Sequence, residues 1–333
     1  MPLPVTVTDV AQRAGVSPIT VSRAIHRPER VSPSTREHVL AVVRQMGYVP
    51  NLLAGSLAMS RSQLVAILLP TVANSIYAGV IQAITDRLTT AGYQALIGPT
   101  GYSAEKEEAL LEAILGRRPD AVVLTGTLHT AGSRERLLAA GVPVVEAWDL
   151  SPQPLDIQVG FSHEAVGERI AEHFHAQGVR RFAVVSVEDP RAARRNGSLR
   201  ARLQALGVAA VPEAVRPLPA TWEVGRAGLA ALLDTHAAAP QLVVCSSDTV
   251  AMGVIAEAAS RGLRVPQDLH VLGFGNTVNG RFAYPALSTV SVNAQAMGGT
   301  VAEALLQRFA GGAPHARVDT GFELIERAST ARP

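Results

Sequence analysis

Two short amphipathic helices joined by a glycine open this chain, and they fix what residues 4–30, PVTVTDVAQRAGVSPITVSRAIHRPER, can become. Thr6 is placed to cap a first helix running to about Ala14, since its oxygen can satisfy an amide of the first turn. Gly15 supplies the tight turn. Ser17 caps a second helix with Pro18 at its first position, where the missing N–H removes no bond. Val10, Ala11, Ala14, Val16, Val21 and Ala24 fall on inward faces, which leaves Pro18, Ile19, Ser22, Arg23 and His26 facing outward on the second helix. A small helical unit that shows hydroxyls and an arginine along its second helix suits the DNA major groove. The plain alternative is an αα-hairpin inside a larger helical domain.

A third helix follows over residues 31–46, with Ser32 as cap, Pro33 behind it and Val39, Val42, Val43 and Met46 on one side. The stretch 47–58, GYVPNLLAGSLA, then leads to a buried strand. Charge agrees with a nucleic-acid-binding head. Residues 1–62 carry seven arginines and three acids, net +4, while residues 63–333 carry 23 basic and 25 acidic side chains, net −2. Only the head is therefore suited to a polyanion. Lys106 is the sole lysine, so phosphate contacts fall to Arg, hydroxyls and backbone amides.

The rest of the 333 residues alternates strands and helices, enough for more than one sizeable core. Apolar runs at 65–70, 94–99, 121–126 and 143–149 read as one series of strands, and runs at 182–187, 242–247 and 269–275 as a second. Helical stretches between them include 78–91, 104–115, 163–177, 224–233 and 250–259. This is the pattern of an α/β body with parallel sheets covered on both faces, divided into two similar lobes.

Several chemistries have no support. The single Cys245 rules out a disulfide framework or a cysteine zinc site and reads as a buried thiol. No phosphate-cradling loop, H-E-x-x-H or G-x-S-x-G occurs, and GFGNTVNG at 273–280 lacks dinucleotide-loop spacing. His173 and His175 are two apart on a helix and diverge, so no metal is expected of them, and no cofactor is expected. No apolar run reaches the roughly 20 residues of a membrane span. No secretion signal precedes the first helix, so the expected location is the cytoplasm, on the nucleoid.

Open α/β sheets bind ligands beyond the carboxyl ends of their strands. The polar residues there are Asn74, then Thr125, Thr127 and His129, then Glu146 and Asp149, and in the second series Arg194, Ser247, Asp248 and Asn276. Phe161 and Trp222 are available to stack on a flat apolar face. Each has a plainer reading: Asn74 shapes a turn, Asp248 caps a helix, Glu146 and Asp149 are solvated strand-end charges, Trp222 is a core aromatic, and Arg194 and Arg195 are surface charges.

The order TDVAxxAGVSxxTVSR, VSxxTRxxVxxxxxxxGYxPNxxAxxLA, then a two-lobed α/β body resembles the LacI family of transcriptional regulators, from about Val5 to Ala328. The stretches GYSAEKE, LTGTLHT and PVVEAWDLSPQPLDIQVGF resemble its gluconate-repressor branch. The resemblance implies a helix-turn-helix domain over 1–48, a hinge helix over 49–61 and a periplasmic-binding-protein-like body over 62–333. Its first lobe would hold 62–159 and 289–321, and its second 160–288 and 322–333. By motif position, Arg23 matches a base-reading arginine, Ser17, Thr20 and Ser22 match groove and phosphate contacts, and Leu57 matches a leucine wedged into the minor groove. Thr6, Pro18, Ile19, His26, Thr35 and Asn51 complete the DNA-facing set. Asn74, Asp149, Phe161, Arg194, Trp222 and Ser247 match inducer-pocket positions. One departure is Gly275, which stands where many members carry an aspartate that grips sugar hydroxyls; losing that acid favours an anion.

The expected protein is a non-enzymatic repressor, dimeric or tetrameric, that binds a pseudo-palindromic operator in double-stranded DNA and is released by a sugar acid such as gluconate, with His129 and Arg194 as anion partners. A regulator tightened by a purine or phosphosugar, or one released by a neutral sugar, stays open. So do a sugar-binding transport component and a carbohydrate enzyme on a similar body.

Overall fold

The computed structural model describes residues 5–49, 61–236 and 238–331. The chain divides into two compact units, Met1–Ser62 and Gln63–Pro333. Residues 50–60, and with them Asn51, Leu57 and most of the expected hinge helix, lie outside the described residues.

Among the described residues the first unit holds three α-helices, α1 (Val7–Ala14), α2 (Pro18–His26) and α3 (Pro33–Met46). Each begins at the hydroxyl cap read from the sequence: Thr6, Ser17 and Ser32 accept from the amides of Asp9, Thr20 and Thr35. Thr6 goes further. Its backbone N–H and its hydroxyl both donate to the Asp9 carboxylate, at 2.8 and 2.7 Å, closing a reciprocal box around the first turn. Gly15 ends α1 at φ +64, a left-handed conformation that an L side chain adopts only under strain. Val10, Val21 and Val39, one from each helix, are fully buried in a core shared with Ala11, Ala14, Ala24 and Val42. At roughly 1.5–3 kcal/mol per buried aliphatic side chain, such a core holds three short helices that would be marginal alone.

The second unit is built on two six-stranded sheets. The first has the order β11-β5-β4-β3-β1-β2, from β1 (Leu64–Leu69), β2 (Gln94–Pro99), β3 (Ala121–Thr125), β4 (Val144–Ala147), β5 (Ile157–Gly160) and β11 (Arg317–Asp319). The second has the order β12-β10-β9-β8-β6-β7, from β6 (Phe182–Val187), β7 (Glu213–Arg216), β8 (Leu242–Cys245), β9 (His270–Phe274), β10 (Ser288–Ser291) and β12 (Glu323–Ile325). All pairings are parallel except that of β12 with β10. Central strands such as β1 and β8 are apolar throughout because helices cover both faces.

The helices of this unit are α4 (Ser75–Thr90), α5 (Ala104–Leu115), α6 (Ala131–Ala140), α7 (His163–Ala176), α8 (Pro190–Ala205), α9 (Trp222–Thr235), α10 (Asp248–Ser260), the short α11 (Val278–Arg281) and α12 (Ala294–Phe309). The chain passes between the sheets after β5, after β10 and after β11. The second passage moves one lobe bound by a few residues. Residues 289–291, expected in the first lobe, pair with β9 and β12 and so belong to the second sheet. The crossing falls after Ser291, and α12 then packs on α4 of the first lobe, where Arg87 meets Glu303 at 2.9 Å. Among the described residues no helix is long and apolar enough to cross a membrane, and no group of three His, Cys, Asp or Glu is placed to hold a metal.

Candidate functional site

In the first unit, α2 presents Pro18, Ile19, Ser22 and Arg23 to solvent, with His26 half-buried at its end. Ile19 is 63% exposed, an unusual position for an isoleucine in so small a domain. The Arg23 guanidinium makes no ion pair among the described residues, so it is free to meet an outside acceptor. Ser17 and Thr20 share a hydroxyl–hydroxyl bond of 2.9 Å, and Ser32 and Thr35 one of 2.8 Å. Four of the expected contacts thus form an exposed strip, while Thr6, Ser17, Thr20 and Thr35 sit in the caps at the starts of the helices.

In the second unit, the carboxyl ends of both sheets meet around a small cleft pocket of about 50 Å³. The first lobe contributes Asn74, Tyr77, Tyr102 and Trp148, and the second His163, Asp189, Arg191, Arg195, Ser247 and Phe274. Asn74 and Ser247 also cap α4 and α10, so the turn and the lining role coincide in both. Trp148 takes φ +74, a strained value for a bulky residue, and its ring meets Tyr77 edge-on at 5.3 Å.

Two guanidiniums dominate the chamber. Arg191 bonds the Asp189 carboxylate at 3.1 and 3.3 Å and reaches across to the Tyr77 hydroxyl of the first lobe at 2.9 Å. Arg195 is 8% exposed yet makes no ion pair with a carboxylate among the described residues. It donates to His163 Nδ1 at 3.0 Å and to the Ser246 carbonyl at 3.1 Å, and lies 3.9 Å above the Phe274 ring. Burial lowers its pKa to about 10. Burial, then the charges of Arg195, Arg191 and Arg194, hold His163 well below its usual range. Its Nδ1 accepts from Arg195, so the hydrogen-bond network assigns the proton to Nε2, which donates to the Trp148 carbonyl at 3.2 Å. Two cations against one carboxylate leave the chamber one positive charge in excess, out of water.

Several expected residues lie elsewhere. His129 is sandwiched between Glu107 at 2.6 Å and Glu146 at 3.4 Å, with its side chain 1% exposed, inside the first lobe. Burial opposes its charge, but the hydrogen bond to Glu107 and the nearby carboxylates of both glutamates outweigh that and raise its pKa to about 9. Neither His129 nor Glu146 therefore reaches a ligand in the chamber. Arg194 is spent on Asp149, whose carboxylate also accepts from Thr127 Oγ1 at 3.1 Å and the Leu150 amide at 2.8 Å. Phe161 is a fully buried core ring beneath the chamber, against Trp148, His163 and Phe274. Trp222 starts α9 and is 51% exposed outside the lining. Asp248 is buried and clamps the Thr277 amide and the Thr289 hydroxyl, both at 2.6 Å. Thr125 donates to the Leu68 carbonyl at 2.9 Å. Asn276, at φ +53, bonds Ser291 and Arg327 beside a separate opening of the cleft. The residues sequence reasoning missed are Tyr77, Tyr102, Trp148, His163, Asp189, Arg191 and Phe274, with Arg195 noticed only as a surface charge. The run DPRAARR at 189–195 was the available signal.

A family profile described as bacterial regulatory proteins, lacI family, matches residues 6–51, and one described as a periplasmic binding protein-like domain matches residues 171–330. The HTH-type transcriptional regulator GntR of Pseudomonas aeruginosa is 35% identical over 328 residues, 98% of this chain and 95% of that protein. A regulator of the same name from Escherichia coli is 32% identical over 321 residues, 95% and 96% of the two chains. A solved LacI-family transcriptional regulator from Silicibacter pomeroyi superposes with a TM-score of 0.92 at 30% identity, covering 99% of this chain and all of the other. The lac repressor dimer bound to operator and the anti-inducer ONPF gives 0.84 at 26% identity, with 99% and 100% covered.

Proposed function

The chain belongs to the lacI family of bacterial regulatory proteins and is a DNA-binding transcriptional repressor, and on that premise we propose that its effector is a sugar acid such as gluconate, bound between the lobes, which releases it from its operator. The observation that carries this reading is Arg195, a buried guanidinium without a carboxylate, lining a chamber where hydroxyl-binding groups also converge. A carboxylate there replaces the missing counter-charge, and charge-assisted bonds of this kind are among the stronger ones in proteins. A neutral hexose leaves the excess charge uncompensated. Two of the regulators described above carry the name GntR, which adds support.

The chamber of about 50 Å³ holds little more than a water or two. Admission of a six-carbon acid therefore requires the lobes to part, which strains the Arg191–Tyr77 and Arg194–Asp149 bonds that span them. A ligand that favours the parted arrangement shifts the population toward it, and DNA affinity falls to the extent that DNA favours the other. We place the protein in the cytoplasm, and read it as a homodimer through the second lobe: Val278, Phe282 and Tyr284 stand 70, 79 and 99% exposed along one short segment. The like-named relatives are regulators, and no enzymatic step is assigned.

The test is isothermal titration of gluconate, 2-keto-gluconate, glucose and hypoxanthine into the purified protein, paired with operator release. Sugar acids are expected to bind at least about tenfold more tightly than neutral hexoses, a difference of ~1.4 kcal/mol. Binding of glucose or hypoxanthine with none of the acids overturns the effector assignment and leaves the repressor assignment intact. Tightening of DNA binding by the ligand, in place of release, decides for the corepressor alternative.

A further inference from the structure

The chamber between the lobes lies beyond the carboxyl ends of β6 and β8, and at the opposite, amino ends of the same two strands the second lobe carries a groove of about 480 Å³. Two connections border it. Residues 207–212, GVAAVP, join α8 to β7, and residues 236–240, HAAAP, join α9 to β8. Surface connections are ordinarily rich in Ser, Thr, Asn and Asp, whereas these two show Ala209, Ala210 and Ala238 to solvent. Beneath them Phe182, Val208, Leu232 and Pro240 are buried and form an apolar floor. An apolar concavity at the surface marks a place where something binds.

The charge of the groove is one-sided. Arg180 and Arg181 line it, and no acid does. Arg180 Nη1 donates to the carbonyls of His175 at 2.7 Å and Val179 at 3.0 Å, and Arg181 Nε donates to that of Ala239 at 2.9 Å. Main-chain carbonyls thus hold both guanidiniums in place without neutralising them, and neither makes an ion pair among the described residues. Their remaining N–H groups are open to an outside acceptor. A carboxylate matches the arginine fork, and an apolar chain attached to it covers the floor. A sugar is poorly served, since Thr235 is the one hydroxyl in the lining and no side-chain amide is present. A second copy of the chain is also a poor occupant, because a twofold contact through this face sets the two arginine pairs against each other.

We propose that this groove is a binding site for a small amphiphilic anion, an aliphatic carboxylate of medium chain length whose head group is held by Arg180 and Arg181. The site is independent of the sugar-acid reading, since groove and chamber share no residue.

The experiment is isothermal titration of the full chain with decanoate, decanol and decyltrimethylammonium, all below their micellar concentrations, with and without gluconate. Decanoate is expected to bind, decanol at least about tenfold more weakly, a difference of ~1.4 kcal/mol, and the cation not at all. Ala210→Glu, at an exposed loop position, sets a carboxylate beside the two arginines and is expected to weaken decanoate about tenfold or more. Arg180→Met combined with Arg181→Met is expected to do the same, and both variants are expected to keep the circular dichroism and the operator affinity of the parent. Absence of decanoate binding at millimolar concentration overturns the proposal. So does decanol binding as tight as decanoate, binding indifferent to both variants, or displacement of decanoate by gluconate. Decanoate that disperses a larger assembly in sedimentation also overturns it, by giving the groove to a second copy.

Discussion

The carboxylate of Asp149 in the first lobe is held by the guanidinium of Arg194 in the second, so the arginine that the sequence makes most prominent is already neutralised. Arg194 also approaches Glu164 at 3.4 Å, which surrounds it with two acids. Its side chain is 31% exposed, whereas that of Asp149 is 1% exposed. Truncating Arg194 therefore strands a buried carboxylate, while removing both partners strands nothing. Arg194→Ala is expected to cost on the order of 1–3 kcal/mol in urea denaturation, below the range for fully buried pairs because water reaches the arginine. Arg194→Ala combined with Asp149→Ala is expected to recover part of the loss, and strict additivity in that double-mutant cycle would refute the coupling.

Arg195 carries the opposite expectation. Its charge is buried without a carboxylate, so Arg195→Met, similar in length and uncharged, removes a desolvation cost along with two hydrogen bonds. Melting temperature without ligand is expected to stay level or rise. Gluconate affinity is expected to fall about 10- to 100-fold, the value of a hydrogen bond to a charged group. Affinity that survives the methionine variant would move the carboxylate to another residue.

What the sequence disclosed follows from the range of the forces involved. The caps at Thr6, Ser17 and Ser32, the glycine at the end of α1 and the strand–helix alternation are all local, and each is legible from a few neighbours. The cleft is not local. Arg191, Arg194 and Arg195 share one face of α8 at helical spacing, and nothing near them reveals that Asp149, 45 residues earlier, claims the middle one. His129 looks like a free strand-end base until α5 brings Glu107 back against it from 22 residues upstream. The stripe of α8, Ala192, Leu199 and Leu203, is interrupted by the buried Arg195 and Asn196, so its polar members read as surface until the packing is known.

Buried between Glu107 and Glu146, His129 couples stability to pH. Its pKa is raised to about 9 in the folded protein, so the native state holds a proton that the unfolded chain releases near 6.5. The stabilisation is complete below the unfolded value and is lost as pH rises through the folded one. Stability is expected to decline between about pH 6.5 and 9 by on the order of 3 kcal/mol at most. His129→Gln keeps a hydrogen bond without the titration, and its denaturation midpoint is expected to be flatter over that interval. An identical pH slope in both proteins would remove His129 as the source.

The resemblance implies an aspartate where Gly275 stands, and introducing that acid tests why this chain lacks it. Its φ is +126, and an added Cβ would also meet Ile76 Cγ1 at 3.4 Å. Gly275→Asp is expected to destabilise by ~1–3 kcal/mol from backbone strain alone, with the contact to Ile76 in addition. Adding Ile76→Ala is expected to relieve the contact but not the strain, which denaturation of the single and double variants separates. A Gly275→Asp protein as stable as the parent would mean that the lobes sit differently at this point.

On the head, Arg23 and Ile19 stand side by side on the exposed face of α2, one charged and one apolar. A guanidinium matches guanine O6 and N7 with two parallel bonds, and no acid on the protein competes for it among the described residues. Arg23→Ala is therefore expected to cost ~1–3 kcal/mol on an operator selected from random duplexes, and much less on unselected DNA. Equal losses on both would make Arg23 a phosphate contact, since phosphate contacts weaken binding uniformly across sequences. Ile19 has no hydrogen bond to offer, and the apolar feature of the major groove is the thymine methyl. Replacing thymine by uracil position by position across the selected half-site is expected to reveal one base pair whose contribution disappears, and Ile19→Ala is expected to abolish that difference. Uracil substitution without effect at every position would return Ile19 to a packing role within the head.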